Sequence, residues 1–137
     1  MIIVDTSVAM KWLLTTDEAY VEKARILLKN HIRQKDTISV PELFYYEIVN
    51  ALATKTPLTL SKATMLITKI YEFNFEKMIP GETEMKKASM LAKKHKTSVY
   101  DMVYAVLAMK NKAVLVTADE KFIQKTGFKF VKHLKEI

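Results

Sequence analysis

Four acidic residues occupy positions that are unusual for a carboxylate, and together they suggest a metal site. Two come just after apolar runs typical of buried strands, one lies inside an apolar helical stretch, and one lies near the start of another predicted helix. In that order they are Asp5, Asp119, Glu47 and Asp101. The chain has no cysteine, which excludes thiolate ligands. A cluster of carboxylates then favours a hard cation such as Mg²⁺ or Mn²⁺.

The same acids have structural interpretations that stay open on the residues alone. Asp5, Asp101 and Asp119 each stand where a helix is expected to begin, and aspartate is a good helix cap. Ser98 and Asp101 also have the spacing of a capping box, with Asp in place of Glu. For Glu47 the alternative is a solvent-facing position at the edge of its helix. An isolated carboxylate buried there would be costly or protonated, and a bound cation would remove that cost.

The hydrophobic pattern predicts strands and helices that alternate along the chain. The predicted strands cover residues 2–4, 37–40, 75–79, 113–117 and 128–131. The predicted helices cover residues 7–14, 19–33, 42–54, 60–73, 82–95, 97–110 and 119–125. Pro41 is expected to begin the third helix, and residues 15–18 are expected to form a break followed by capping residues.

This order of elements predicts one α/β domain spanning residues 1–137, a three-layer α/β/α sandwich. About five mostly parallel strands would form its sheet, with helices on both faces. Asp5 and Asp119 each follow a strand expected near the centre of that sheet. Because the carboxyl ends of parallel strands meet at one edge, where open α/β sheets bind ligands, we expect both acids at that edge.

Composition restricts the partners and the compartment. Lys and Arg total 22 against 15 Asp and Glu, a formal charge of +7. This balance favours a polyanion, either nucleic acid or an acidic protein; a lysine-rich solvated surface is the alternative. No apolar run approaches the ~20 residues of a membrane span, and the N-terminus lacks the features of a signal peptide. The expected location is the cytoplasm, with no membrane partner.

Several other kinds of site are disfavoured by particular residues. Glycine occurs only at positions 81 and 127, so the chain has no P-loop and no dinucleotide-binding fingerprint. A haloacid-dehalogenase-like site would need a second Asp two residues after Asp5, and Ser7 stands there. The three histidines lack metal-ligand spacing and are interpreted as surface residues. They are His31, His95 and His133.

Four motifs, each weak alone, occur in the order and at the intervals of a known family. They are Asp5-Thr6-Ser7 after an apolar strand, Pro41-Glu42-Leu43 leading to Glu47-Ile48-Val49-Asn50-Ala51-Leu52, Tyr100-Asp101 in a Tyr- and Ala-rich helix, and Thr117-Ala118-Asp119. The sequence resembles the PIN-domain ribonucleases over nearly its whole length. Among them it is most similar to the VapC toxins of prokaryotic toxin–antitoxin pairs.

The resemblance implies a metal-dependent endoribonuclease whose products carry 5′-phosphate and 3′-hydroxyl ends. By position, the family's acidic pocket for one or two Mg²⁺ or Mn²⁺ ions corresponds to Asp5, Glu47, Asp101 and Asp119. We take Asp5 and Asp101 as the main metal ligands. Thr117 corresponds to a residue that orients a carboxylate or water. Weaker candidates for a supporting role are Thr6, Ser7 and Asn50.

One position departs from the family pattern. Many PIN domains carry a further acid two residues after the last motif Asp, and here that position is Lys121. Binding of a single metal ion, or weak binding of a second, is therefore an open alternative.

The resemblance also implies partners. RNA is the expected substrate, and the expected protein partners are a second copy of the chain, in a homodimer, and a VapB-like antitoxin. Both protein contacts are expected at the helical hairpin of residues 41–73, which has more apolar surface than one sheet face needs. Two groups of lysines are expected to contact RNA phosphates: Lys86, Lys87, Lys93, Lys94 and Lys96, and Lys121, Lys125, Lys129, Lys132 and Lys135. The alternative to an enzyme is a catalytically weak PIN-like module that binds RNA or a protein.

Overall fold

The computed structural model describes residues 1–14 and 19–137. The break and capping residues expected at 15–18 lie outside the described residues. The strands are β1 (Ile2–Val4), β2 (Ile38–Pro41), β3 (Glu76–Met78), β4 (Val114–Thr117) and β5 (Val131–His133). The helices are α1 (Thr6–Leu13), α2 (Val21–Ile32), α3 (Leu43–Thr54), α4 (Leu60–Glu72), α5 (Glu82–His95), α6 (Val99–Asn111) and α7 (Glu120–Thr126), followed by a 3₁₀ helix at Leu134–Glu136. Within the described ranges, no helix is both long and apolar enough to cross a membrane.

The strands form one sheet in the order β3-β2-β1-β4-β5, and every neighbouring pair is parallel. β1 is the central strand, and its Ile2 pairs with Ile38 of β2 and with Val114 of β4. Helices link the strands and cover both faces of the sheet. The predicted three-layer α/β/α sandwich is confirmed, and the five strands of the described residues are all parallel.

The central strands are apolar on both sides because helices cover both faces of the sheet. Ile3 and Val4 of β1 and Val116 of β4 are fully buried. Helix α6 packs on β1 and β4, and each of its residues from 102 to 108 is buried. This packing fixes the start of α6 relative to the ends of β1 and β4, which are the elements that carry three of the four acids.

Pro41 ends a strand and does not begin a helix, so that prediction was wrong. It pairs with Met78 of β3, beyond the last β1–β2 pair, which is at Ser39. Proline has no backbone N–H, and at this point β1 no longer needs one from β2. The third helix begins at Leu43, with Glu42 as its cap residue.

The last strand begins three residues later than predicted. The rings of Phe128 and Phe130 stack on each other with centroids 5.3 Å apart, and sheet pairing starts at Val131. His133 lies in this strand with only 5% of its surface exposed, so the prediction that it is a surface residue was wrong. Its Nδ1 accepts a hydrogen bond from the backbone N–H of Lys135, which gives it a structural role.

Candidate active site

Asp5 and Asp119 lie at the same edge of the sheet, one after each of two neighbouring strands. Val4, the last residue of β1, pairs with Val116 of β4. Asp5 follows Val4 directly, and Asp119 follows the end of β4 by two residues. Since both strands run in the same direction, both turns open at the carboxyl edge, where open α/β folds bind ligands.

The Asp5 carboxylate is held on both oxygens by hydroxyl groups. Oδ1 accepts hydrogen bonds from the Ser7 backbone N–H at 3.1 Å and from Ser7 Oγ at 2.5 Å. Oδ2 accepts a hydrogen bond from Thr117 Oγ1 at 2.5 Å. The two hydroxyls also accept hydrogen bonds from the second turn: Ser7 Oγ from the Ala118 N–H at 2.9 Å, and Thr117 Oγ1 from the Asp119 N–H at 3.0 Å. This network joins the turn after β1 to the turn after β4 and fixes the orientation of Asp5.

Burial raises the pKa of Asp5 from 3.8 to about 6, because loss of hydration disfavours the charged form. The hydrogen bonds from Ser7 and Thr117 oppose this rise, and the negative charge of Asp101 adds to it. A nearby cation would favour the charged form. Asp5 therefore has the environment of a carboxylate that gains from binding a metal ion.

Glu47 is half-buried, and its carboxylate is held by hydrogen bonds from two other helices, which disfavours the solvent-facing alternative. Its Oε1 accepts a hydrogen bond from the Tyr104 hydroxyl at 2.6 Å and another from Thr6 Oγ1 at 3.3 Å. Thr6 is the first residue of α1 and directly follows Asp5. Glu47 is thus held next to the turn that carries Asp5.

Tyr104 belongs to the site and was missed from the sequence. Only 1% of its surface is exposed, and burial together with the charge of Glu47 raises the pKa of its hydroxyl. The hydroxyl therefore stays protonated and remains a donor to Glu47. Its position in an apolar helix is typical of a core aromatic residue. The one available signal was that a buried tyrosine hydroxyl usually needs a hydrogen-bond partner.

Asp101 and Asp119 line one cleft of about 140 Å³. Burial and the charge of Asp119 raise the pKa of Asp101, while hydrogen bonding to Ser98 and the charge of Lys125 lower it. Both acids also serve as helix-start residues. The Asp101 N–H donates to Ser98 Oγ at 3.0 Å, and Asp119 Oδ1 accepts from the Phe122 N–H at 3.1 Å. The cleft is lined by Thr97, Ser98, Asp101, Asp119, Lys121, Phe122 and Lys125.

The donor atoms of this site suit a hard divalent cation. Carboxylate and hydroxyl oxygens are the ligands that Mg²⁺ and Mn²⁺ prefer. Within residues 1–14 and 19–137, no three His, Asp or Glu side chains are arranged to hold one metal ion. Mg²⁺ is commonly held by one or two carboxylates, with water and substrate phosphate completing its shell. The residues therefore fit an ion that takes one or two ligands from the protein and the others from water and substrate.

The weaker candidates divide into two groups. Thr6 and Ser7 contact the acids, through the bonds to Glu47 and Asp5. Asn50 is exposed on α3, and in the described part of the chain no hydrogen bond joins its side chain to an acid. The contacts therefore favour a supporting role for Thr6 and Ser7, and they do not favour one for Asn50.

Comparisons with known proteins give one family and one fold. The PIN domain family model matches residues 2–128. The chain is similar in structure to PAE2754 from Pyrobaculum aerophilum, with 22% identity, 98% of this chain and 90% of that chain covered, and a TM-score of 0.72. No curated protein matches the sequence.

Two further solved structures, VapC20 and VapBC-1, are similar in fold. VapC20 from Mycobacterium tuberculosis, a Sarcin-Ricin loop cleaving toxin, shares 16% identity over 96% of this chain and 99% of that chain, with a TM-score of 0.69. VapBC-1 from nontypeable Haemophilus influenzae shares 17% identity over 98% and 99%, with a TM-score of 0.64. At these identities the likeness shows the fold.

Proposed function

The chain belongs to the PIN-domain family, and from this membership we propose that it is a Mg²⁺- or Mn²⁺-dependent endoribonuclease, the toxin of a toxin–antitoxin pair. The observation that carries the proposal is the state of Asp5. It is held on both oxygens at the carboxyl edge of the sheet, and its pKa is raised to about 6 by burial and by the charge of Asp101. A carboxylate so placed is suited to bind a divalent cation and, through it, a phosphodiester.

The residues have separate roles in this proposal. A bound divalent ion would supply an activated water and would neutralise charge that develops on the phosphate. Asp5 and Asp101 would be its main protein ligands, with Asp119 and Glu47 completing the acidic pocket. Thr117 orients Asp5 through its hydrogen bond to Oδ2.

The proposed partners follow from charge and from the exposed apolar surface. The formal charge of +7 supports a polyanionic substrate such as RNA. The α3–α4 hairpin exposes large apolar or aromatic side chains, which supports protein contacts there: a homodimer and a VapB-like antitoxin. These side chains are Tyr46, Leu60, Met65 and Tyr71. Light scattering at micromolar concentration tests the dimer, and a monomer would contradict it.

Cleavage of a labelled single-stranded RNA tests the proposed activity. The wild-type protein is assayed with Mg²⁺, with Mn²⁺ and with EDTA, beside Asp5→Asn and Asp101→Asn. We expect cleavage by the wild type with metal, and loss of cleavage in EDTA and in both variants. The matched control is Glu76→Gln, which changes an exposed carboxylate on β3 and should leave cleavage unchanged. Cleavage that survives both EDTA and Asp5→Asn would refute a metal nuclease at this site.

One observation favours the second candidate function, a catalytically weak module that binds RNA or a protein. Among the described residues, three potential ligands are not assembled around one point. Calorimetric titration with Mn²⁺ separates the two functions. Metal binding that disappears in Asp5→Asn supports the nuclease. No metal binding and no cleavage by the wild type would support the binding module.

A further inference from the structure

The cleft beside the acids is lined by side chains of both charges. Asp101 and Asp119 line it together with Lys121 and Lys125. The two lysines are four residues apart on α7 (Glu120–Thr126), so their side chains project from the same face of that helix. Both side chains are exposed to solvent. Two lysines therefore line the same cleft as the carboxylates.

Lys125 is anchored at the rim of this cleft. Its Nζ donates a hydrogen bond to the backbone carbonyl of Lys96 at 3.0 Å, which ties α7 to the loop between α5 and α6. An ammonium group has three N–H donors, so two remain for another acceptor. The charge of Lys125 also reaches Asp101, whose pKa it lowers.

Neither lysine is in direct ion-pair contact with the acids of the cleft. Among the described residues, neither Lys121 nor Lys125 forms an ion pair within 4.0 Å of a carboxylate. Like charges four residues apart on a helix repel each other, and an anion bound between them would relieve that repulsion. The oxygen atoms of a phosphodiester are anionic acceptors that lysine binds as a point charge.

We propose that Lys121 and Lys125 form a phosphate-binding wall that contacts the backbone of single-stranded RNA beside the carboxylates. The inference rests on the proposed function and deepens it, because it assigns two lysines of the cleft to the substrate's phosphates. These contacts position the strand without reading its sequence. Lys121 then supplies positive charge at the place where the family pattern has another acid.

The experiment measures RNA binding separately from cleavage. Fluorescence anisotropy with a labelled single-stranded RNA of random sequence is recorded in EDTA. The salt concentration is varied from about 50 to about 200 mM, a range over which affinity that depends on phosphate contacts falls steeply. The variants are Lys121→Ala/Lys125→Ala and Lys121→Arg/Lys125→Arg. The control, Lys62→Ala/Lys69→Ala, removes the same two charges from exposed positions on α4, which does not line the cleft. The rate of RNA cleavage with Mn²⁺ is measured for all four proteins.

The alanine pair is expected to bind RNA more weakly. The magnitude of its slope of log K against log salt should be lower than that of the wild type by about 1.4, or ~0.7 for each lost phosphate contact. Its KM should rise more than its kcat falls. The arginine pair should keep the wild-type slope, and so should the α4 control. An alanine pair whose slope and KM equal those of the control would overturn the inference.

The outcomes separate this inference from the proposed function. Cleavage by the wild type, with no difference between the alanine pair and the control, would leave the nuclease standing and remove the phosphate-binding wall. Salt-dependent binding that falls only in the alanine pair, with no cleavage by any protein, would support the wall and contradict the nuclease. Absence of RNA binding by the wild type would overturn the wall directly.

Discussion

Tyr104 and Glu47 are 57 residues apart in the chain, and the Tyr104 hydroxyl donates a 2.6 Å hydrogen bond to Glu47 Oε1. This bond joins α6 to α3 beneath the acidic site. Because burial and the charge of Glu47 raise the pKa of the tyrosine, the hydroxyl is always the donor. Glu47 is thereby oriented by a side chain that is itself packed in the core.

Tyr104→Phe is expected to lower both stability and activity. The substitution keeps the ring and leaves Glu47 with the Thr6 hydroxyl as its remaining donor. Loss of a hydrogen bond to a half-buried carboxylate should cost about 1–3 kcal/mol of unfolding free energy, measured by urea denaturation. Loss of a group that orients a metal ligand typically reduces metal affinity or activity by about 10–100-fold, measured by Mn²⁺ calorimetry and RNA cleavage.

The control for this variant is Tyr46→Phe on the same helix as Glu47. Tyr46 has 67% of its surface exposed, and its hydroxyl lies 3.5 Å from Glu42. Removal of this hydroxyl should change stability by less than about 0.5 kcal/mol, as for most surface substitutions. Equal losses in Tyr46→Phe and Tyr104→Phe would contradict a positioning role for Tyr104.

The sequence predicted the acidic edge of the sheet because two signals there are strong. β1 and β4 are continuous apolar runs, as expected for buried parallel strands, and an Asp follows each. The two interpretations of these Asp residues, as caps or as site residues, are compatible. Asp5 and Asp119 cap α1 and α7 and also lie at the candidate site, where their role stays a prediction.

Predictions failed where a local rule competed with tertiary pairing. Proline favours the first position of a helix, yet the pairing of Pro41 with Met78 extends β2 over it. The apolar residues Phe128 and Phe130 resemble a strand, yet Thr117 pairs with His133 and so sets the register of β5 further along the chain. Pairing between distant residues is not visible in the local pattern.

The stability of the metal-free protein should depend on the charge of Asp5. Since its pKa is raised from 3.8 to about 6, the native state holds this proton more tightly than the unfolded chain does. The contribution of neutral Asp5 to the free energy of unfolding is fully present below about pH 4 and is lost as the pH rises through about 6. Above that pH, charged Asp5 lowers the free energy of unfolding by at most about 3 kcal/mol.

Asp5→Asn should therefore stabilise the metal-free protein at pH 7.5 and give much less stabilisation at pH 4.5. The measurement is urea unfolding in EDTA at both pH values. Glu76→Gln, at an exposed position on β3, serves as the control and should change stability little at either pH. If Asp5→Asn destabilises the protein at pH 7.5, the hydrogen bonds to Asp5 outweigh its loss of hydration.

A divalent ion should reverse the order of stability of the wild type and Asp5→Asn. A ligand that binds only the native state adds about 4.1 kcal/mol of unfolding free energy at about 1,000 times its dissociation constant, which exceeds the cost of at most about 3 kcal/mol for charged Asp5. Mn²⁺ should therefore stabilise the wild type and leave Asp5→Asn nearly unchanged, as measured by thermal unfolding with increasing Mn²⁺. Equal shifts in both proteins would mean that the metal binds elsewhere.

Thr117→Val tests the hydroxyl that joins the two turns. Thr117 is fully buried, and valine has nearly the same shape but offers neither a donor to Asp5 nor an acceptor to the Asp119 N–H. Loss of the donor removes a bond that lowers the pKa of Asp5, so this pKa should rise further. Because protons compete with metal for a carboxylate, the pH at which Mn²⁺ binding is half lost should move upward from the wild-type value.

Calorimetric titrations with Mn²⁺ between pH 5 and 8 measure this midpoint, and urea denaturation measures the accompanying loss of about 1–3 kcal/mol from the unpaired buried groups. The matched control is Thr126→Val, which removes a buried hydroxyl that donates to the Phe122 carbonyl within α7 at 2.9 Å. The control should lose stability without any shift in the midpoint of metal binding. An unshifted midpoint in Thr117→Val, with the same loss of stability as the control, would show that Thr117 supports the fold and does not tune Asp5.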